Sequence, residues 1–416
     1  MKIFLGRQQL TFNRPLDMGK IHAPIDARER LVSITGIGFA LSSLSFLILN
    51  PFLAIFILSL YSLYVDDSVK QTKQTLLIFA FALAIFYASR DIWALEGDDA
   101  AVYVQRYLMD QDASLASIVS RFFLFPPNNE VLYFSCMWVI GKLLNPGTQT
   151  LLFIVYLGQL TLLSVAAYLV SRRYAVIFLF IFFFGISDPG TQIMHLWRAS
   201  FGTLTFMIGI LIYFKGNPKT GRIIALASPG FHLTLLPFVF IFELYNFLKR
   251  RTGFFLTVVL GALAVYLFSG LLRTGFEYIL PAQAAMFFDY PFEPADAQGK
   301  SFTDVAVLLV LLAGNYCFKL SPVARFATFS FSAFFVIAQV YAVISPFVGR
   351  FAQIIFPITA IPLFEIVMKQ SKALIAPVIG LLLVRALLKP VTEFYSFVLP
   401  QHRELFYGVS NILFFK

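Results

Sequence analysis

Ala227-Ser-Pro-Gly-Phe-His-Leu-Thr-Leu-Leu236 interrupts an apolar stretch that would otherwise read as one membrane-crossing helix over about 223–248. Pro229-Gly230 breaks the helical hydrogen-bond ladder, and His232 follows two residues later. An imidazole is costly in hydrocarbon, and broken backbone at membrane depth is tolerated only where it lines a polar cavity. The stretch therefore predicts a helical membrane protein with a functional site at the break, and His232 is its first candidate.

The rest of the chain agrees. Of 416 residues, 59% are hydrophobic and 13% charged, with a mean hydropathy of +0.80. A soluble domain carries about 25% charged residues. Fifty Phe and eighteen Tyr suit lipid-facing surfaces and interfaces. At about 20 apolar residues per span, the apolar runs predict an all-α, polytopic fold of about 11–13 transmembrane helices. Residues 31–388 read as a single transmembrane catalytic domain, 1–30 as a cytoplasmic segment and 389–416 as an interfacial tail. The segment 1–30 has no apolar core, so it is not read as a cleavable signal peptide.

A net charge of +10 fits basic cytoplasmic loops; with no basic stripe on a soluble face, nucleic acid is excluded as a partner. Cys136 and Cys317 are far apart in apolar surroundings and read as free packing residues. There is no phosphate-binding glycine loop, zinc spacing or serine nucleophile elbow. No cofactor and no metal site is expected, although the acidic loop leaves room for a divalent cation. The substrate must carry its own energy.

Basic residues set the sidedness. Lys70 and Lys73, Arg172-Arg173, Lys215 with Lys219 and Arg222, Lys249-Arg250-Arg251, Lys319 with Arg325, and Lys369 with Lys372 can share the cytoplasmic side with 1–30 under two conditions. The short apolar segment 131–144 must not fully cross, and 223–248 must enter and return as two half-helices meeting near Pro229-Gly230. Such broken and re-entrant helices mark substrate sites. The opposite face then gathers the long loops at about 90–130 and 272–302 with the turns 187–198 and 345–350.

That face holds the remaining candidates. Asp98-Asp99 opens a short helix with Tyr103 one turn on, and a carboxylate there either acts as a base or caps the helix. Glu130 follows Pro126-Pro127-Asn128-Asn129 at another helix start, where capping is the bland reading; a catalytic carboxylate is the other, because the apolar helix that follows is too short to span. His195-Leu196-Trp197-Arg198 leads into an apolar span. An arginine there suits bidentate binding of phosphate or pyrophosphate, against the plainer reading of interfacial snorkelling. Arg350 repeats that arrangement, and Arg273 ends another span on the same side. Several arginines where positive charge should be scarce point to an anionic ligand arriving through the membrane, such as a polyprenyl diphosphate.

In their order, Arg90, Asp99 with Tyr103, Glu130, Arg198, Phe231-His232 and Arg350 resemble the EpsG-like branch of the Wzy-type polysaccharide (O-antigen) polymerases, over about residues 75–370. This chain has Ala199 where the family often has a polar residue after the arginine, and Leu233-Thr234 where a serine often follows the histidine. The resemblance implies a GT-C-like glycosyltransferase of the bacterial inner membrane with its active face in the periplasm. It would join repeat units carried on undecaprenyl diphosphate into a surface polysaccharide, within the bilayer and alongside a chain-length regulator membrane protein. On this basis Arg198 and Arg350 are expected to grip the donor diphosphate, with Arg273 and Arg90 as further cations. Asp99, or Asp98 in its place, is expected to deprotonate the acceptor hydroxyl. His232 is expected to orient the phosphate or to serve as base if the carboxylates are structural. Tyr103 and Trp197 are expected to stack on sugar rings beside His195.

Two rivals stay open: a flippase or transporter for the same lipid-linked oligosaccharide, and an O-antigen ligase or other lipid-dependent glycosyltransferase. An acyltransferase is disfavoured, since its histidine would want a close carboxylate and none neighbours His232 in sequence.

Overall fold

The computed structural model describes residues 51–64, 69–89, 92–93, 99–120, 130–184, 193, 196–249, 253–279, 302–341 and 347–370, with single positions at 375, 377, 378 and 380. All described residues belong to one compact unit. Arg90, Asp98 and His195 lie outside the described residues, as do the segments 1–30 and 389–416.

Among the described residues every regular element is helical. In chain order these are α1 (Pro51–Tyr64), α2 (Val69–Ala88), α3 (Asp99–Met109), α4 (Leu115–Ser120), α5 (Val131–Leu144), α6 (Thr148–Val170) and α7 (Ala175–Phe184). Then come α8 (Trp197–Phe214), α9 (Pro218–Ala227), two 3-10 turns (Ser228–Gly230 and Leu233–Leu235) and α10 (Leu236–Leu248). The last are α11 (Phe254–Ile279), α12 (Phe302–Cys317), α13 (Pro322–Tyr341) and α14 (Phe347–Met368). Two of these, α6 and α8, are long and apolar enough to cross a membrane.

The centre of the bundle is α8. Beside it lies α6, with Tyr156 against Trp197 and the Gly158 backbone against the Phe201 ring. On the far side of α6 sits α2, with Phe81 edge-on to Phe153. After α8 the chain turns at Gly216, whose φ of +106° is easy only for glycine. The next helix starts at once, because Asn217 accepts from the Thr220 N–H at 3.3 Å and Pro218 pre-sets the first turn.

The expected reversal of the chain near Pro229-Gly230 is visible in the contacts. α9 runs back along α8 with backbone nearly touching backbone: a Cβ on Gly209 would lie 2.5 Å from the Ala225 nitrogen, and one on Gly221 would collide with Tyr213. At the apex, Gly202 faces Ser228, His232 and Leu235. α10 then returns, placing Phe242 against Phe206 and then Tyr213, and Tyr245 against Phe214. The two arms thus form a V hung on one face of α8. Across its open end Arg222 binds Glu243 bidentately, at 2.7 and 2.8 Å. That pair is exposed, so it contributes about 0.2–1 kcal/mol and fixes geometry more than stability.

Several of the basic residues that set the expected sidedness collect at this open end. Lys73 lies over Tyr168, near the end of α6, and Lys215 is within electrostatic reach of Arg172 and Glu365. Lys249 sits over Tyr213, Phe214 and Tyr245. Arg325 reaches Tyr245 electrostatically, and Lys369 donates to the Lys319 carbonyl. Arg198 begins α8 sixteen residues before Phe214, about 24 Å away at 1.5 Å per residue. The cation-rich end and the candidate site are therefore opposite ends of one helix.

Because α8 and α9 meet without side chains between them, Gly221→Val should destabilise the protein by about 1–3 kcal/mol through overpacking. A thermal unfolding midpoint in detergent that matches the parent would show the contact to be dispensable.

Candidate active site

Three side chains from three segments converge at the apex. Glu130 precedes α5, Arg198 stands in the first turn of α8, and His232 lies between the two 3-10 turns. Each place has a local cause. His232 has extended backbone (φ −159°, ψ 116°) because Pro229-Gly230 has ended α9 and Leu233 begins a new turn. Gly230 lets α5 approach, since a Cβ there would lie 2.7 Å from the Leu132 side chain. Gly202, one turn after Arg198, lets the apex settle beside that arginine.

Glu130 is the hub. One carboxylate oxygen, Oε2, accepts from Arg198 Nη1 at 2.6 Å, and the other, Oε1, is 2.9 Å from His232 Nδ1. Its side chain is 4% exposed, against 22% for Arg198 and 20% for His232. The plainer reading of Glu130 as a helix cap is set aside: its side chain makes no cap hydrogen bond and its two oxygens engage Arg198 and His232 instead. The start of α5 still favours the negative charge there.

The argument that His232 lacks a carboxylate partner is corrected too. The partner stands 102 residues earlier in the chain and is adjacent only in the fold. A carboxylate at Nδ1 selects the tautomer whose Nε2 lone pair points away from it, which is the arrangement of a general base. Nε2 makes no hydrogen bond among the described residues.

Burial alone would raise the Glu130 carboxyl, but the His232 hydrogen bond and the Arg198 charge outweigh it and hold the group below its ordinary range. The charged form is thus favoured in the folded state. Its contribution to stability is fully present above the unfolded carboxylate value of about 4.3 and is lost as pH falls through the depressed folded value. The unfolding midpoint should therefore drop on acidification below about pH 5, and Glu130→Gln should remove that part of the drop. Parallel midpoint-versus-pH curves for the two proteins would contradict this.

Around the hub is an aromatic wall. The Arg198 guanidinium lies 5.1 Å from the Tyr103 ring centroid, and Tyr103 packs against Tyr133 and Trp197 at 5.8 and 5.5 Å. Burial raises the Tyr103 hydroxyl, with Arg198 opposing, so the phenol stays protonated and can donate. Trp197 is completely buried, its indole N–H donating to the Tyr156 hydroxyl at 3.4 Å. The expected stacking of Trp197 on a sugar is corrected: neighbouring rings cover it, and it serves as packing beneath Arg198.

The other candidates are placed less centrally. Asp99 heads α3, exposed, one turn before Tyr103, whose hydroxyl feels its charge. Arg350 lies in the first turn of α14. The far end of that helix is at the cation-rich end, where Glu365 accepts from the Ser321 N–H. Arg273 lies late in α11, also away from that end. Cys136 and Cys317 are free, as expected, but both are exposed rather than packed in the interior.

Sequence reasoning missed Tyr133, Tyr156 and Gly202. Tyr133 was discoverable as the residue one helical turn after Glu130, and Gly202 as the one a turn after Arg198. Tyr156 carried no signal inside an apolar helix. Comparison of the chain with models of protein families, with curated proteins and with solved structures gives no match.

Proposed function

We propose that the chain is a polytopic, GT-C-like glycosyltransferase of the bacterial inner membrane that polymerises undecaprenyl-diphosphate-linked repeat units at the periplasmic face. The observation that carries this reading is the Glu130–His232–Arg198 constellation, set at the end of α8 opposite the lysine- and arginine-rich end. Positive-inside sorting assigns the cation-rich end to the cytoplasm, which leaves the constellation outside.

In this reading His232 takes the role first given to Asp99. Nε2 removes the proton from the acceptor hydroxyl as its oxygen attacks the anomeric carbon of the donor. The bond from that carbon to the diphosphate oxygen breaks, and the electron pair leaves with undecaprenyl diphosphate, in one displacement with inversion. Glu130 holds the imidazole and stabilises the imidazolium that forms. Arg198, with Arg350, offsets the charge growing on the leaving diphosphate; losing one such group costs about 10²–10³ in rate. No metal is needed for these steps. The test is deletion of the gene in its host: surface glycan reduced to single repeat units supports the reading, and units trapped on the cytoplasmic side indicate a flippase instead.

One observation favours a second reading. The His232–Glu130 pair is also what a membrane acyltransferase acting on a sugar hydroxyl would use. Such an enzyme, when deleted, would leave glycan length unchanged and remove acyl groups from the product.

A further inference from the structure

The end of α8 away from the constellation is ringed by cations from other segments. Arg172, in the turn between α6 and α7, lies within electrostatic reach of Lys215 directly after α8, and so does Glu365 near the end of α14. Glu365 accepts from the Ser321 N–H at 2.8 Å, which ties it to the start of α13. Arg325, in the first turn of α13, reaches Tyr245 of α10. The Lys249 ammonium, just past α10, stands 5.5 Å from the Tyr245 ring and 4.8 Å from that of Phe214, which closes the ring beside Lys215.

Charge here is unbalanced. The acids at this end among the described residues are Glu243 and Glu365, and both are engaged. Arg222 holds the first bidentately, and the N–H and hydroxyl of Ser321 hold the second. Positive-inside sorting accounts for cations in loops that stay in the cytoplasm, but not for the fold bringing Arg172 and Lys215 together. Partial burial and the Arg172 charge push the Lys215 ammonium below its ordinary value, with Glu365 opposing. Like charges within reach of each other repel until an anion is shared between them.

Apolar surface adjoins the cations. Phe214, Tyr245 and Phe326 pack mutually, with ring centroids 5.3 to 6.4 Å apart. Phe247 of α10 and Ile223 of α9 are 54% and 67% exposed, so side chains fit for acyl chains stand beside the ring. Basic side chains, aromatic rings and open apolar surface at one helix end are what an interfacial phospholipid needs: cations for its phosphate, rings for its glycerol region.

We propose that this ring of cations binds the headgroup of an anionic phospholipid of the cytoplasmic leaflet. The site rests on the membrane reading and on this end lying inside, and it is independent of the transfer reaction proposed above.

Purified full-length protein, stripped of lipid in a neutral detergent, is titrated with phosphatidylglycerol, with phosphatidylcholine and with inorganic pyrophosphate while its thermal unfolding midpoint is followed. Phosphatidylglycerol should raise the midpoint in a saturable way, and the other two should leave it near its starting value. In the double variant Arg172→Gln with Lys215→Gln the half-effective phosphatidylglycerol concentration should rise about tenfold or more, since each cation near an anionic surface contributes several-fold. Its midpoint without lipid should match the parent, which checks folding. Lys142→Gln, on α5, should respond as the parent does. An equal rise with phosphatidylcholine, an equal rise with pyrophosphate, or an unchanged response of the double variant overturns the site. Such a failure leaves the transfer reaction standing, and unaltered surface glycan on gene deletion leaves the lipid site standing.

Discussion

His232→Ala should lower glycosyl transfer from lipid-linked repeat units by roughly 10²–10⁴-fold, the usual contribution of a positioned base. Glu130→Gln should fall in the same direction although it preserves shape. Its amide can still accept from Nδ1, but it no longer stabilises the imidazolium or balances Arg198. Asp99→Asn should cost far less than either, because Asp99 heads α3 at an exposed position while His232 has its carboxylate at 2.9 Å. Initial rates in membranes supplied with repeat units decide this. Should Asp99→Asn be the most damaging of the three, the base assignment moves back to the carboxylate.

Arg198→Ala should be the most destabilising single change in the site. It strips one oxygen of a carboxylate that is only 4% exposed, and breaking a buried pair on one side costs about 3–5 kcal/mol. Arg198→Lys should recover part of this, as a point charge without the planar fork. The double variant Glu130→Gln with Arg198→Met should be more stable than Arg198→Ala alone, because no charge is then left stranded. Unfolding midpoints of the set in detergent test the argument. Midpoints for Arg198→Ala close to the parent would mean that solvent reaches Glu130 freely.

Much of this architecture was legible before any coordinates. Pro229-Gly230 announced the break, and the basic loops called for two half-helices within 223–248, which α9 and α10 supply as antiparallel arms beside α8. Glu130, Arg198 and His232 were all singled out, yet as separate candidates. What the sequence lacked was their pairing, since the contacts span 68 and 102 residues and no local pattern encodes such distances. Trp197 was misread because proximity to Arg198 in sequence says nothing about which rings will cover it. The glycines at 202, 209, 221 and 230 carry the close approaches, but a glycine in an apolar run shows its purpose only once its neighbour is known.

The V has a geometric consequence. Its apex lies as deep as its arms are long, and α9, with ten residues, reaches about 15 Å at 1.5 Å per residue. The arms behave as a ruler anchored at Arg222 and Glu243, with the imidazole at the tip. Adding or removing a turn in one arm alone would shift that tip by about 5.4 Å, well beyond hydrogen-bond reach of its carboxylate. Helices elsewhere in the bundle can drift in length, but these two must change together or not at all.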